Sequence, residues 1–169
     1  MSSNLNTFRN EYLGANTWAQ RKDGVPLYLL DKLSASELAI AENELLQNAR
    51  PGDTWPIIGL GHIRSARALP TLYQLLTQTD NLFKVTVAYA IYQVCKDEKM
   101  IDVILAETAS ISNWQELVDI MYILAGFKDE RVQSLLNSYR QHSDYLVAYN
   151  ATRAMGLPTD EVVTRFRKH

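Results

Sequence analysis

The chain carries one cysteine, Cys95, and three widely spaced histidines, His62, His142 and His169, in 169 residues. An intramolecular disulfide is thereby excluded, and no Cys/His spacing suits a zinc site. Glycine (7) and proline (5) are scarce and stand between apolar-periodic segments, which favours an all-helical chain over an all-β one. There is no Gly-rich phosphate loop, no two-histidine metal helix and no nucleophile elbow. The expectation is therefore no metal and no cofactor. No apolar run reaches membrane-spanning length, and the opening MSSNLNTFRNEYLG lacks the apolar core of a secretory signal. No membrane contact and a cytoplasmic location are expected. A formal net charge of −2 offers no basic excess for phosphate neutralisation, which argues against nucleic acid as the main partner.

What is present is an average globular composition, 47% apolar and 21% charged, so long disordered stretches are not expected. A chain of this length buries a sizeable core without staples, and residues 1–169 are read as one domain. Leu5, Phe8, Tyr12 and Leu13 recur at helical spacing, predicting a helix from about Asn4 that stops at Gly14. Lys22-Asp23-Gly24 reads as a turn, and a short helix follows Pro26 through Leu27, Leu30 and Leu33. Residues 1–33 are read as an N-terminal cap over the open end of a repeat stack. Ser34 with Glu37 makes a capping box for a helix that ends at Pro51-Gly52, and Asp53 caps the next. Further helix starts are expected at Asp80, at Ser112 with Gln115, at Ser143 or Asp144, and at Thr159. Cys95, at the end of an apolar run, is expected to be a buried or half-buried small side chain.

A repeat emerges over residues 34–157. Leu60, Ile91, Leu124 and Met155 occupy one equivalent position, and Ile57, Ala88, Met121 and Thr152 lie three residues before them, with only Thr152 breaking the apolar pattern. Gly59-Leu60-Gly61 falls inside a helix at a tight packing point, so it is not a nucleotide fingerprint. The first helices of the units align over residues 68–76, 100–107 and 132–139, and the third unit has a long polar connection from Glu107 to Asn113. Self-similarity at this period, in pairs of short helices, is the signature of an α-solenoid. Leu60-Gly61-His62-Ile63, Arg67-Ala68-Leu69-Pro70-Thr71-Leu72, Val87-Ala88-Tyr89-Ala90-Ile91 and Asp129-Glu130-Arg131-Val132 carry a resemblance to the HEAT-like helical repeat family, covering roughly residues 36–157. The resemblance implies an all-α, right-handed superhelix of roughly four helical pairs, with a C-terminal helix over residues 158–169. It also implies binding through the concave face lined by the second helices. The family includes binding scaffolds, DNA alkylpurine glycosylases and bilin lyases, so fold alone does not select a function. The basic end, Arg165 to His169, is read as cations suited to a helix C-terminus.

Two columns are expected to point outward: Ile58, Tyr89, Tyr122 and Arg153, and three residues earlier Trp55, Thr86, Asp119 and Asn150. His62 and Gln93 follow one turn on, with Tyr92, Tyr145 and Tyr149 at the edges. Tyrosine and tryptophan combine large contact area with a polar handle, which favours a recognition surface. The candidate partner-binding residues are Trp55, Ile58, His62, Tyr89, Tyr92, Asp119, Tyr122, Tyr149 and Arg153, and the expected activity is non-catalytic binding of a protein partner. The enzymatic alternative is glycosylase-like, with Asp119 beside Tyr122 and Trp55, and Lys84 and Arg153 holding phosphate.

Overall fold

The structure is a computed structural model in which residues 3–167 are described. Lys168 and His169, the end of the basic run, lie outside the described residues. Every regular element among them is helical, with no strand. The order is α1 (Ser3–Thr7) running into a π-helical turn Phe8–Leu13, then α2 (Trp18–Arg21), α3 (Tyr28–Asp31), α4 (Ala35–Asn48) and α5 (Thr54–His62). A 3-10 turn, Ala66–Ala68, leads into α6 (Leu69–Gln78), followed by α7 (Asn81–Cys95), α8 (Lys99–Ser110), α9 (Trp114–Ala125), α10 (Glu130–Tyr139), α11 (Tyr145–Ala154) and α12 (Asp160–Arg167).

Local chemistry accounts for most of these boundaries. Glu37 accepts from both the backbone N–H (2.8 Å) and the hydroxyl (2.6 Å) of Ser34, opening α4. Asp53, Asp129 and Asp144 accept from the first free N–H groups of α5, α10 and α11, satisfying donors that have no intrahelical partner. The start of α9 differs from the sequence expectation by one residue: Asn113, not Ser112, accepts from Gln115 N–H at 2.9 Å. The polar connection expected from Glu107 to Asn113 is also corrected. The α8 helix continues to Ser110, leaving residues 111–113 to connect, and Ile111 is buried. An apolar anchor in the middle of that stretch keeps it short.

The chain forms two compact units, residues 3–79 with Thr86–Asp97, and Asp80–Val85 with residues 98–167. In the first unit the N-terminal segment is clamped to α4 and α5. Phe8 and Tyr12 are fully buried, Arg9 pairs with Glu44, and Arg21 forms a two-pronged contact with Asp53 at 2.9 and 3.2 Å. Gly59 and Gly61 face different neighbours across α5. A Cβ at Gly59 would stand 2.7 Å from the Tyr12 hydroxyl oxygen, and one at Gly61 would run into Gln93 Oε1 and stand 3.0 Å from Ala90 Cα. Both glycines are therefore close-packing positions inside a helix. Leu45, Ile57, Leu60, Leu72 and Ile91 fill the core, each contributing roughly 1.5–3 kcal/mol by leaving water. Cys95 departs from expectation: it is exposed, because it falls in the last turn of α7, where its thiol lies 3.4 Å from the Ile91 carbonyl.

In the second unit α8 and α10 lie side by side in one direction. Arg131 near the start of α10 pairs with Asp102 near the start of α8 at 2.8 Å, and Tyr139 at the end of α10 donates to the Thr108 carbonyl at 3.4 Å. Short connections then start α9 and α11 at the same end, and these two helices pack against each other extensively. First helix thus neighbours first helix, and second neighbours second. The column Ile57, Ala88, Met121, Thr152 is buried at every member. Thr152, the apparent exception, satisfies its hydroxyl on the Ala148 carbonyl at 2.9 Å. Of the marker positions, Leu60, Ile91 and Leu124 are fully buried, whereas Met155 is half-buried.

Candidate partner-binding site

In the first unit the expected surface is largely occupied by the protein itself. Trp55 is only 6% exposed, which corrects its placement in an outward column. Its ring meets Tyr12 edge-on with centroids 5.6 Å apart, and the Arg21 guanidinium covers it at 4.6 Å. Thr86, the next member of that column, is buried as well. Ile58 is half-buried. His62 Nε2 and Asp31 Oδ1 lie 2.7 Å apart, so the ring is directed at α3. Tyr89 is half-buried; burial pushes its hydroxyl pKa up, and a hydrogen bond with the Gln93 side chain opposes that only in part. Lys96 places its ammonium 4.7 Å over the Tyr92 ring, a contact of the strength expected for a half-exposed cation–π pair, about 0.5–1 kcal/mol.

The second unit keeps its candidates at the surface. Tyr122 is 45% exposed and its hydroxyl donates to Asn150 Oδ1 at 2.7 Å. Asn150 in turn donates to the Leu146 carbonyl at 2.8 Å, so the amide is oriented by its own helix and α9 is tied to α11. Asp119 precedes Tyr122 by three residues, which puts both on one stripe of α9. Asp119 is exposed and has no hydrogen-bond or ion-pair partner among the described residues. Surrounding protein displaces enough water from its carboxyl to raise its pKa above the ordinary aspartate range. Arg153 on α11 is exposed and likewise without an acid or acceptor partner among the described residues. Tyr149 stacks on Tyr145 at 5.6 Å, and Tyr145 meets Phe166 of α12 edge-on at 5.4 Å.

Trp114, 42% exposed at the start of α9, lies outside the two columns expected to point outward. Trp114 lies ten residues before Leu124 and Tyr145 ten before Met155, so extending the repeat alignment by one more turn would have found it. With Tyr122, Tyr145 (37% exposed) and Leu146 (40%), it gives the second helices of this unit an aromatic and apolar surface. The same helices carry an exposed carboxylate, Asp119, and an exposed guanidinium, Arg153, without partners among the described residues.

Lys84, expected to hold phosphate, is on Glu107 at 3.1 Å. Among the described residues there is no group of three or more His, Cys, Asp or Glu side chains placed to hold a metal ion. No described helix is long and apolar enough to cross a membrane. A scan against protein-family models, a search of curated proteins and a search of solved structures each returned no match.

Proposed function

We propose that the chain is a HEAT-like repeat protein, a right-handed α-solenoid of roughly four helical pairs behind an N-terminal cap, that binds a protein partner without catalysis through its second helices. What supports the repeat reading is the pairing of like with like in the second unit: Asp102 with Arg131, Thr108 with Tyr139 and Tyr122 with Asn150, at separations of 29, 31 and 28 residues. The observation that carries the binding reading is the exposed α9–α11 surface, where Tyr122 is held by Asn150 while Asp119 and Arg153 keep their charges unspent among the described residues. Oriented aromatic side chains lose little entropy on binding, and unpaired charges of opposite sign select a partner's register. Tyr122, Asp119, Arg153 and Tyr149 are the contact residues on this reading. Ile58, His62, Tyr89 and Tyr92 are peripheral, and Trp55 acts by shaping the fold.

The test is a paired capture from nuclease-treated host lysate with the wild-type protein and with Tyr122→Ala/Arg153→Ala. One protein retained stoichiometrically by the wild type and lost by the variant, at equal helicity, is the expected result. Equal retention by both would remove this surface from the proposal.

The glycosylase-like reading retains one favourable observation, the raised pKa of Asp119 next to Tyr122. Lys84 is engaged by Glu107, which leaves Arg153 alone to hold a phosphate backbone. Base excision activity abolished by Asp119→Asn would reinstate it.

A further inference from the structure

The N-terminal segment of the first unit encloses an open cleft of about 430 Å³, within the range typical of small-ligand sites, about 300–1,000 Å³. Its walls come from the π-helical turn (Glu11), α2 (Gln20), residues 23–26 and Tyr28 at the start of α3. Gly24 turns the chain there with φ at +85°, a conformation that a Cβ resists.

The lining is chemically one-sided. Glu11 and Asp23 are exposed carboxylates with no hydrogen-bond or ion-pair partner among the described residues, and no cation lines the cleft. Other acids of this unit are engaged, Glu44 by Arg9, Asp53 by Arg21, Glu42 by Arg67 and Asp31 by His62. Gln20 is held in place because its Oε1 accepts from the backbone N–H groups of Asn16 and Thr17, each at 3.1 Å. Val25 and Pro26, both half-buried, supply an apolar side. Tyr28, which lines the same cleft, adds an aromatic face to it. The Tyr28 ring already carries a cation on one face, Lys32 Nζ at 4.8 Å from its centroid, and is still 52% exposed. Aromatic faces attract ammonium and guanidinium groups.

We propose that this cleft binds an alkyl cation, an ammonium or guanidinium group on an aliphatic stem. The stem lies against Val25 and Pro26, the charged head is shared between Glu11 and Asp23, and Tyr28 closes the site with its free face. A lysine or arginine side chain of a peptide and a free polyamine both have this chemistry. The cleft belongs to the first unit, and its assignment does not depend on the reading of the α9–α11 surface.

The test is a ¹H–¹⁵N chemical-shift titration of the full chain with arginine amide, spermidine and acetyl-Gly-Arg-Gly-amide, and with citrulline amide as the neutral isostere, the two amino-acid amides being Nα-acetylated so that the side chain alone carries the difference in charge. Saturable shifts centred on the amides of Asp23, Gly24 and Val25 are expected for the three cations and not for citrulline amide. Glu11→Gln/Asp23→Asn should weaken binding at least tenfold at unchanged helicity, and Tyr28→Leu about threefold. Tighter binding of the peptide than of arginine amide would assign the site to a partner's side chain, and tightest binding of spermidine to a free polyamine. The proposal is overturned by the absence of saturable shifts with all three cations, by equal response to citrulline amide, or by unchanged affinity in the double carboxylate variant.

Discussion

The hydroxyl of Tyr12 donates to the Trp55 carbonyl at 2.8 Å, across 43 residues of sequence. A side chain from the N-terminal segment is thus inserted against the backbone of α5, in space that exists because position 59 has no Cβ. Burial, reinforced by the nearby Asp53 carboxylate, holds the phenol protonated far above its usual range.

Gly59→Ala should therefore destabilise the protein by about 1–3 kcal/mol, the usual range for overpacking, since the new methyl meets the Tyr12 oxygen at 2.7 Å. Tyr12→Phe should cost about 1–2 kcal/mol by leaving the buried Trp55 carbonyl short of a donor. Tyr12→Phe combined with Gly59→Ala should cost less than the sum of the two, since the phenol oxygen is the atom in the way. Urea denaturation of the two single variants and the double variant measures all three, and strict additivity would contradict the insertion.

Arg64 ends α5 with φ at 52°, in the left-handed region that costs a side-chain-bearing residue about 1 kcal/mol relative to glycine. Its neighbour Ser65 donates to the Leu60 carbonyl at 3.0 Å, the long bond of a Schellman-type helix end. Arg64→Gly should raise stability by about 0.5–1 kcal/mol. A loss of stability in thermal unfolding would show that the Arg64 side chain contributes more than the conformation costs.

Asp119 has its carboxyl pKa raised by desolvation. In the window between the ordinary aspartate value of about 3.9 and the raised folded value, the native state holds more protons than the unfolded one, so stability falls as pH rises through it. Asp119→Asn should consequently raise Tm at pH 7, and the gain should shrink as pH approaches 4. A gain independent of pH would mean that ionisation of Asp119 is not its source.

Cys95 is exposed at the end of α7. A thiol reagent such as DTNB should titrate one thiol per chain without denaturant, and Cys95→Ser should change stability by no more than about 0.5 kcal/mol, as for other surface positions. A thiol silent until urea is added would place Cys95 inside.

The helical class, most helix starts and the buried column Ile57, Ala88, Met121 and Thr152 were legible from the sequence because they rest on local rules. A capping side chain and the N–H groups it satisfies lie two or three residues apart, as in Ser34–Glu37 and Asp144–Leu146, and a buried stripe recurs with the helical turn. The shift from Ser112 to Asn113 and the extension of α8 to Ser110 show the limit of those rules. Two adjacent polar residues offer equivalent caps, and the burial of Ile111 settled the boundary.

Which members of an aligned column face water was a tertiary decision. Trp55 and Asp119 fall in one column of the sequence alignment, yet Trp55 is covered by Tyr12 and Arg21 while Asp119 stays exposed. Periodicity says only that a side chain points away from its own helix pair. What then covers it, here a segment 43 residues earlier in the chain, depends on long-range contacts that hydrophobic spacing does not encode. The sequence alone therefore determined, to within a residue or so, where most helices begin and which stripe they bury, and the tertiary structure decided which of the remaining side chains stay exposed.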